Sequence, residues 1–168
     1  MRHRTPQILS LAATAILSTM TLCNAASEEP FLCSDILYLI EQSKSQFSAI
    51  QGDTESEFGG TDATLVLPGA WSCVILEDVE KRSYRCVWKY PQGDEQAHKT
   101  YQRFVEEMRS CIGNIAEERT DQSVNHPDFY ASHYYQLPGG AASVTLKNKT
   151  QLMSTLVSIR IDGFAKPK

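Results

Sequence analysis

The chain lacks the local patterns that announce common catalytic chemistries. No C-x-x-C or H-E-x-x-H spacing is present, so a zinc centre has no sequence support. No G-x-S-x-G or S-x-x-K pattern marks a serine nucleophile. Gly59-Gly60 and Gly139-Gly140 lack the spacing of a loop that cradles phosphate. Positive charge is also short: 16 Lys and Arg stand against 20 Asp and Glu, for a net charge of −4. That balance lacks the basic footprint of a nucleic-acid binder or of a protein held on an anionic membrane. Beyond the N-terminus no run approaches the roughly 20 apolar residues of a spanning helix, so no stable membrane insertion is expected. Neither a cofactor nor a metal is implied.

What is present begins at the N-terminus. Arg2-His3-Arg4 precedes an apolar stretch from Ile8 to Leu17, and small residues follow at Cys23-Asn24-Ala25-Ala26. That order of charge, apolar core and small exit is the pattern of a secretory signal peptide. Ser10, Thr14, Ser18, Thr19 and Thr21 interrupt the stretch and argue against an uncleaved anchor. Leu22, before Cys23, is not the small residue that lipid attachment requires. Residues 1–25 are therefore read as a removed signal peptide, and 26–168 as a single exported domain, secreted or periplasmic. Losing Arg2 and Arg4 makes that domain still more acidic.

Export changes how cysteine is read. Cys33, Cys73, Cys86 and Cys111 form an even set in an oxidising compartment, which implies two disulfides. The segments Trp71–Leu76 and Tyr84–Tyr90 are rich in β-branched and aromatic residues and flank the polar run Glu77–Arg82. A hairpin turn centred between Val79 and Glu80 sets Cys73 opposite Cys86, Trp71 opposite Trp88 and Ile75 opposite Tyr84. Because side chains alternate along a strand, all six then share one face. A slip by one residue would scatter them. Cys73–Cys86 is the expected pair, which leaves Cys33–Cys111.

Two amphipathic helices support that second bridge. Leu32, Ile36, Leu39, Ile40, Phe47 and Ile50 recur at helical steps, with Gly52 as a stop. Ala97, Tyr101, Phe104, Met108 and Cys111 repeat the pattern between an Asp94 cap and Gly113. Side by side and antiparallel, the helices bring Cys33 and Cys111 together. Strands are expected at Ala63–Leu67, 71–76, 84–90, Phe129–Leu137, Ala142–Lys147 and Leu152–Ile161, with Glu117–Asp128 unassigned. The Leu-Pro-Gly runs at 67–69 and 137–139 hint at an internal repeat. The expected architecture is α+β: two helix-plus-three-strand units forming one antiparallel sheet, with both helices on one face.

Candidate working residues are few. His98 sits on the polar side of the second helix, and the Asn148-Lys149-Thr150 sequon would accept a glycan only in a eukaryotic pathway. His126 and His133 flank a strand start with Asp128 and are the expected centre if the chain is a hydrolase of unfamiliar type. Two surfaces suit binding better. Asp53, Glu55, Glu57 and Asp62 surround Phe58-Gly59-Gly60, a set that can dock a partner protein with a basic surface. Val66, Val74, Leu76 and Val87 are expected on the sheet face away from the helices, where apolar side chains invite a partner. The leading expectation is a small exported binding protein or inhibitor, ahead of an envelope structural or assembly factor and of an enzyme.

Overall fold

The hairpin register is the expected one: Ser72 faces Val87, Cys73 faces Cys86, Val74 faces Arg85 and Ile75 faces Tyr84. The computed structural model describes residues 32–79, 81–121 and 130–164. The signal-peptide segment, His126 and Asp128 lie outside them. Both expected disulfides are formed, Cys73–Cys86 with Cα atoms 4.0 Å apart and Cys33–Cys111 with Cα atoms 5.5 Å apart.

In chain order the elements are α1 (Cys33–Ser43), β1 (Gln51–Glu55), β2 (Thr61–Ala63), β3 (Ser72–Glu77), β4 (Arg82–Pro91) and α2 (Glu95–Ile112). Then come β5 (Glu117–Asp121), β6 (Tyr130–Leu137), β7 (Gly140–Lys149) and β8 (Ser154–Asp162). The sheet has the order β1-β2-β3-β4-β8-β7-β6-β5, with antiparallel pairing throughout. It consists of two meanders joined where β4 pairs with β8. Each half is therefore a helix followed by four strands, not three. The additional strands, β1 and β5, are the two outer ones, and they read Gln-Gly-Asp-Thr-Glu and Glu-Glu-Arg-Thr-Asp. Neither shows apolar alternation. Charge on an edge strand discourages pairing with another chain, and it also hides the strand from a hydropathy reading. The strand expected at Ala63–Leu67 is shorter and earlier, at Thr61–Ala63. In both halves the Leu-Pro-Gly run separates the second strand from the third, with Gly69 and Gly139 at φ 71° and 89°.

The expected first helix is also cut short. It ends at Ser43, because Gln46 and Phe47 take positive φ values of 55° and 59°. The turn drives Phe47 fully into the core, 6.2 Å from the Tyr84 ring. It also lets Gln46 bond the Phe164 carbonyl and accept the Arg82 N–H at 2.8 Å. Burial of a large aromatic and satisfaction of two backbone groups outweigh further helical turns. At α2, the Asp94 carboxylate accepts the Gln96 N–H at 2.8 Å, which is the expected cap.

Both helices pack on the same face of the sheet. Ile36, Leu39, Phe104, Met108 and Ile112 join Tyr84, Trp88, Val144, Val157 and Ile159 in one core. Trp88 and Phe104 meet with ring centroids 4.5 Å apart. Among the described residues no helix is long and apolar enough to cross a membrane.

Candidate functional site

The sheet face turned away from the helices carries a groove, and the β1–β2 hairpin builds one wall of it. The hairpin tip is closed by Ser56 N–H to Gly60 O and Gly59 N–H to Ser56 O, both 3.0 Å. Gly59 and Gly60 sit at φ 85° and 73°, a region that L side chains rarely adopt. Gly60 also lies directly against the Ile75 carbonyl, closer than any Cβ could come. This approach lays the tip over β3 and carries Phe58 onto Trp71, with ring centroids 4.8 Å apart.

Trp71 is not where the strand alternation places it. It was expected inward against Trp88, yet it is 49% exposed and lines the outer groove. The cause is a bulge. Trp71 N–H bonds Val87 O at 2.8 Å, although Val87 is already the partner of Ser72, so two residues oppose one. The extra residue turns the indole to the other face. Lys89 completes the arrangement, with its ammonium 4.7 Å from the centre of the Trp71 ring.

The groove has a volume of about 210 Å³ and is lined by Phe58, Trp71, Val74, Leu76, Val87 and Leu156, with Arg85, Lys89 and Ser154 among its polar members. Val74, Leu76 and Val87 are on the expected outer face. Val66, expected with them, is 54% exposed on the loop before β3 and does not line the groove. Of the acidic set, Asp53, Glu55, Glu57 and Asp62 are all exposed on the β1–β2 hairpin, and Asp62 pairs with Val74 across the ladder. The structure thus brings the two candidate surfaces together at Phe58.

Two polar groups of this groove are unmatched. Arg85 faces Arg160 directly across the β4–β8 ladder. Arg160 is paired with Asp162 at 2.7 Å, and Lys81 holds the other oxygen of that carboxylate at 2.7 Å. The Arg85 guanidinium has no hydrogen-bond or ion-pair partner among the described residues. Burial, and then Arg160, push its ionisation below the ordinary arginine range. The Ser154 hydroxyl is buried and likewise unpartnered. Strand alternation places Arg85 opposite Val74 on the outer face; its isolation comes from side-chain packing.

No protein-family model matches the chain, and no curated protein matches it in sequence.

His133 lies elsewhere, near α2. Its Nδ1 is 2.9 Å from Glu118 Oε1, and Arg109 grips the same carboxylate with two bonds of 2.9 and 2.7 Å. The Tyr101 ring stands 5.9 Å from the imidazole. Arg109 first, and His133 after it, lower the Glu118 carboxyl from 4.5 to about 2. The cluster ties β5 and β6 to α2. Among the described residues no three His, Cys, Asp or Glu side chains converge to hold a metal. A carboxyl depressed in the folded state stabilises above its unfolded pKa, and that contribution fades as pH falls from 4.5 toward 2. Glu118→Gln is therefore expected to lower the melting temperature at pH 7 and to flatten the acid limb, with both proteins converging near pH 2. Thermal melts from pH 2 to 7 measure this; parallel curves for the two proteins would remove the assignment.

Proposed function

We propose that this protein works by binding a partner protein outside the cytoplasm, with the Phe58 tip and the groove beneath it as the contact surface. The observation that carries this reading is the tilted packing of the Phe58 ring against Trp71 at the rim of an apolar groove. Exposed aromatics beside a desolvated pocket are the residues from which interfaces draw most of their energy. Asp53, Glu55 and Glu57 flank that anchor and steer a basic partner surface toward it. Two disulfides suit a domain that functions in an oxidising compartment.

The test is capture by the full chain carrying a photo-crosslinking side chain at position 58, compared with one at Tyr38, which is 44% exposed on α1, on the helical side of the sheet. A discrete adduct is expected at 58 and not at 38. Phe58→Ser and Leu76→Ser are each expected to reduce capture about tenfold or more, the loss typical of an interface anchor. Replacing Asp53, Glu55 and Glu57 together by serine is expected to slow association at low salt with little change in melting temperature. Capture that survives both Phe58→Ser and Leu76→Ser would overturn the reading. Capture lost only on His133→Ala would favour a site at the His133–Glu118 cluster.

A further inference from the structure

We propose that the groove receives a short extended segment of the partner that sets a carboxylate beside a large apolar side chain, with Arg85 holding the carboxylate. This rests on the groove being the contact surface and adds the chemistry of what enters it. The first argument is charge. Arg85 is half-buried, lies opposite Arg160 and has no anionic partner among the described residues, whereas Arg160 shares Asp162 with Lys81 and Lys89 rests on Trp71. Like charges directly opposite on a ladder are destabilising, and a partly desolvated cation without a partner costs more. Such a local violation marks a place completed by something else. A carboxylate is the complementary group, since the planar guanidinium fork matches its two oxygens.

Size and shape select the rest. A groove of about 210 Å³ falls below the roughly 300–1,000 Å³ of pockets that enclose whole small molecules. It accommodates an apolar side chain or two and leaves the remainder of the ligand outside. Arg85, Val87 and Lys89 alternate outward along β4, so its floor runs roughly 13 Å at ~3.3 Å per residue, the span of about four extended residues. An extended peptide turns residues i and i+2 to the same side. A Glu and a Phe two apart can therefore place a carboxylate at Arg85 and a ring between Trp71 and Leu156. The unpartnered Ser154 hydroxyl then has a peptide carbonyl within its reach as a second polar anchor. The hairpin carboxylates act at longer range on the basic surroundings of that segment, and Arg85 reads the single acid within it.

The probe is the peptide acetyl-Glu-Thr-Phe-Thr-amide, compared with the same peptide carrying Gln in place of Glu and with octanoate, a simple fatty anion. Binding to the full, disulfide-bonded chain is followed by Trp71 fluorescence and by the NMR signal of the Arg85 side-chain N–H. The Glu peptide is expected to bind saturably and about tenfold or more tighter than the Gln peptide, the range for hydrogen bonds to a charged group. Arg85→Gln abolishes that preference and Arg85→Lys restores part of it. Arg85→Gln also removes the clash with Arg160, so its melting temperature is expected to rise by about 1–3 °C, which reports that the fold is kept. Absence of saturable binding by the Glu peptide overturns the inference, as does equal affinity for the Gln peptide. Tighter binding of octanoate than of the peptide replaces the protein segment by a small amphiphile. If both peptides bind equally and Leu76→Ser abolishes both, the groove remains the contact surface and only the acidic partner is lost. If Leu76→Ser changes neither, the contact surface lies elsewhere.

Discussion

Replacing Cys33 and Cys111 together by alanine is expected to lower the unfolding free energy by about 4.5 kcal/mol, because the bridge closes a long loop in the unfolded chain. The two cysteines are 78 residues apart, against 13 for Cys73 and Cys86. On the same chain-entropy account the shorter loop contributes about 3 kcal/mol, so the expected difference is about 1.5 kcal/mol. Guanidinium titration of the two double variants measures both values. A larger loss for the Cys73/Cys86 pair would mean that burial decides the ranking, because those two lie in the core while Cys33 and Cys111 are half-buried. The Cys33–Cys111 bridge joins the helices on the face opposite the groove. Its loss is therefore expected to leave partner capture intact at temperatures where the variant is folded. Loss of capture in parallel with stability would instead couple the helical layer to the groove.

The parts of this fold legible from sequence are those in which a residue pattern has one physical solution. The Cys73–Cys86 register is such a case, since cysteines, aromatics and turn length agree on a single pairing. The helices and the Cys33–Cys111 bridge follow from their spacing in the same way. The edge strands are the opposite case. Glu117–Asp121 and Gln51–Glu55 take strand geometry from hydrogen bonding to a neighbour, and with little apolar burial they leave no period to read. Phe47 shows a third limit. Its helical spacing from Ile40 and Ile50 is genuine, but a tertiary contact with Tyr84 and two positive-φ residues override it.

The site was legible in pieces and not as a whole. Phe58 with its acidic neighbours and the outer-face valines each stand out locally, yet their meeting depends on a bulge at Trp71 that no local pattern announces. Strict alternation sends Trp71 inward, and that is the step at which the reading parts from the structure. Strand alternation places Arg85 only as a charged member of the outer face, opposite Val74. Its significance comes from Arg160 on a strand 75 residues later, with Asp162 already claimed by two other cations. Polar satisfaction is a property of the assembled sheet.

Gly60→Val is expected to cost roughly 2–5 kcal/mol, combining strain of a side chain at positive φ with displacement of packed backbone. Gly60 has φ 73°, and a Cβ there would overlap the Ile75 carbonyl, which belongs to the β3 ladder and cannot rotate away. The cheapest relief is for the hairpin tip to lift from β3. Phe58 then leaves Trp71, and the groove loses its wall. Partner capture is accordingly expected to fall as far as it does in Phe58→Ser, although Phe58 itself is unchanged. Gly59→Ala is the control. Its φ is 85°, but its Cβ would meet nothing within 4 Å, so only the conformational strain of about 1–3 kcal/mol applies and the tip stays seated. Thermal melts give the stability order, and quenching of Trp71 reports whether Phe58 still covers it. A Gly60→Val protein that is destabilised yet captures partner as well as the unaltered chain would show that the seated tip is not the contact, and would move the site to the groove floor at Val87 and Leu156.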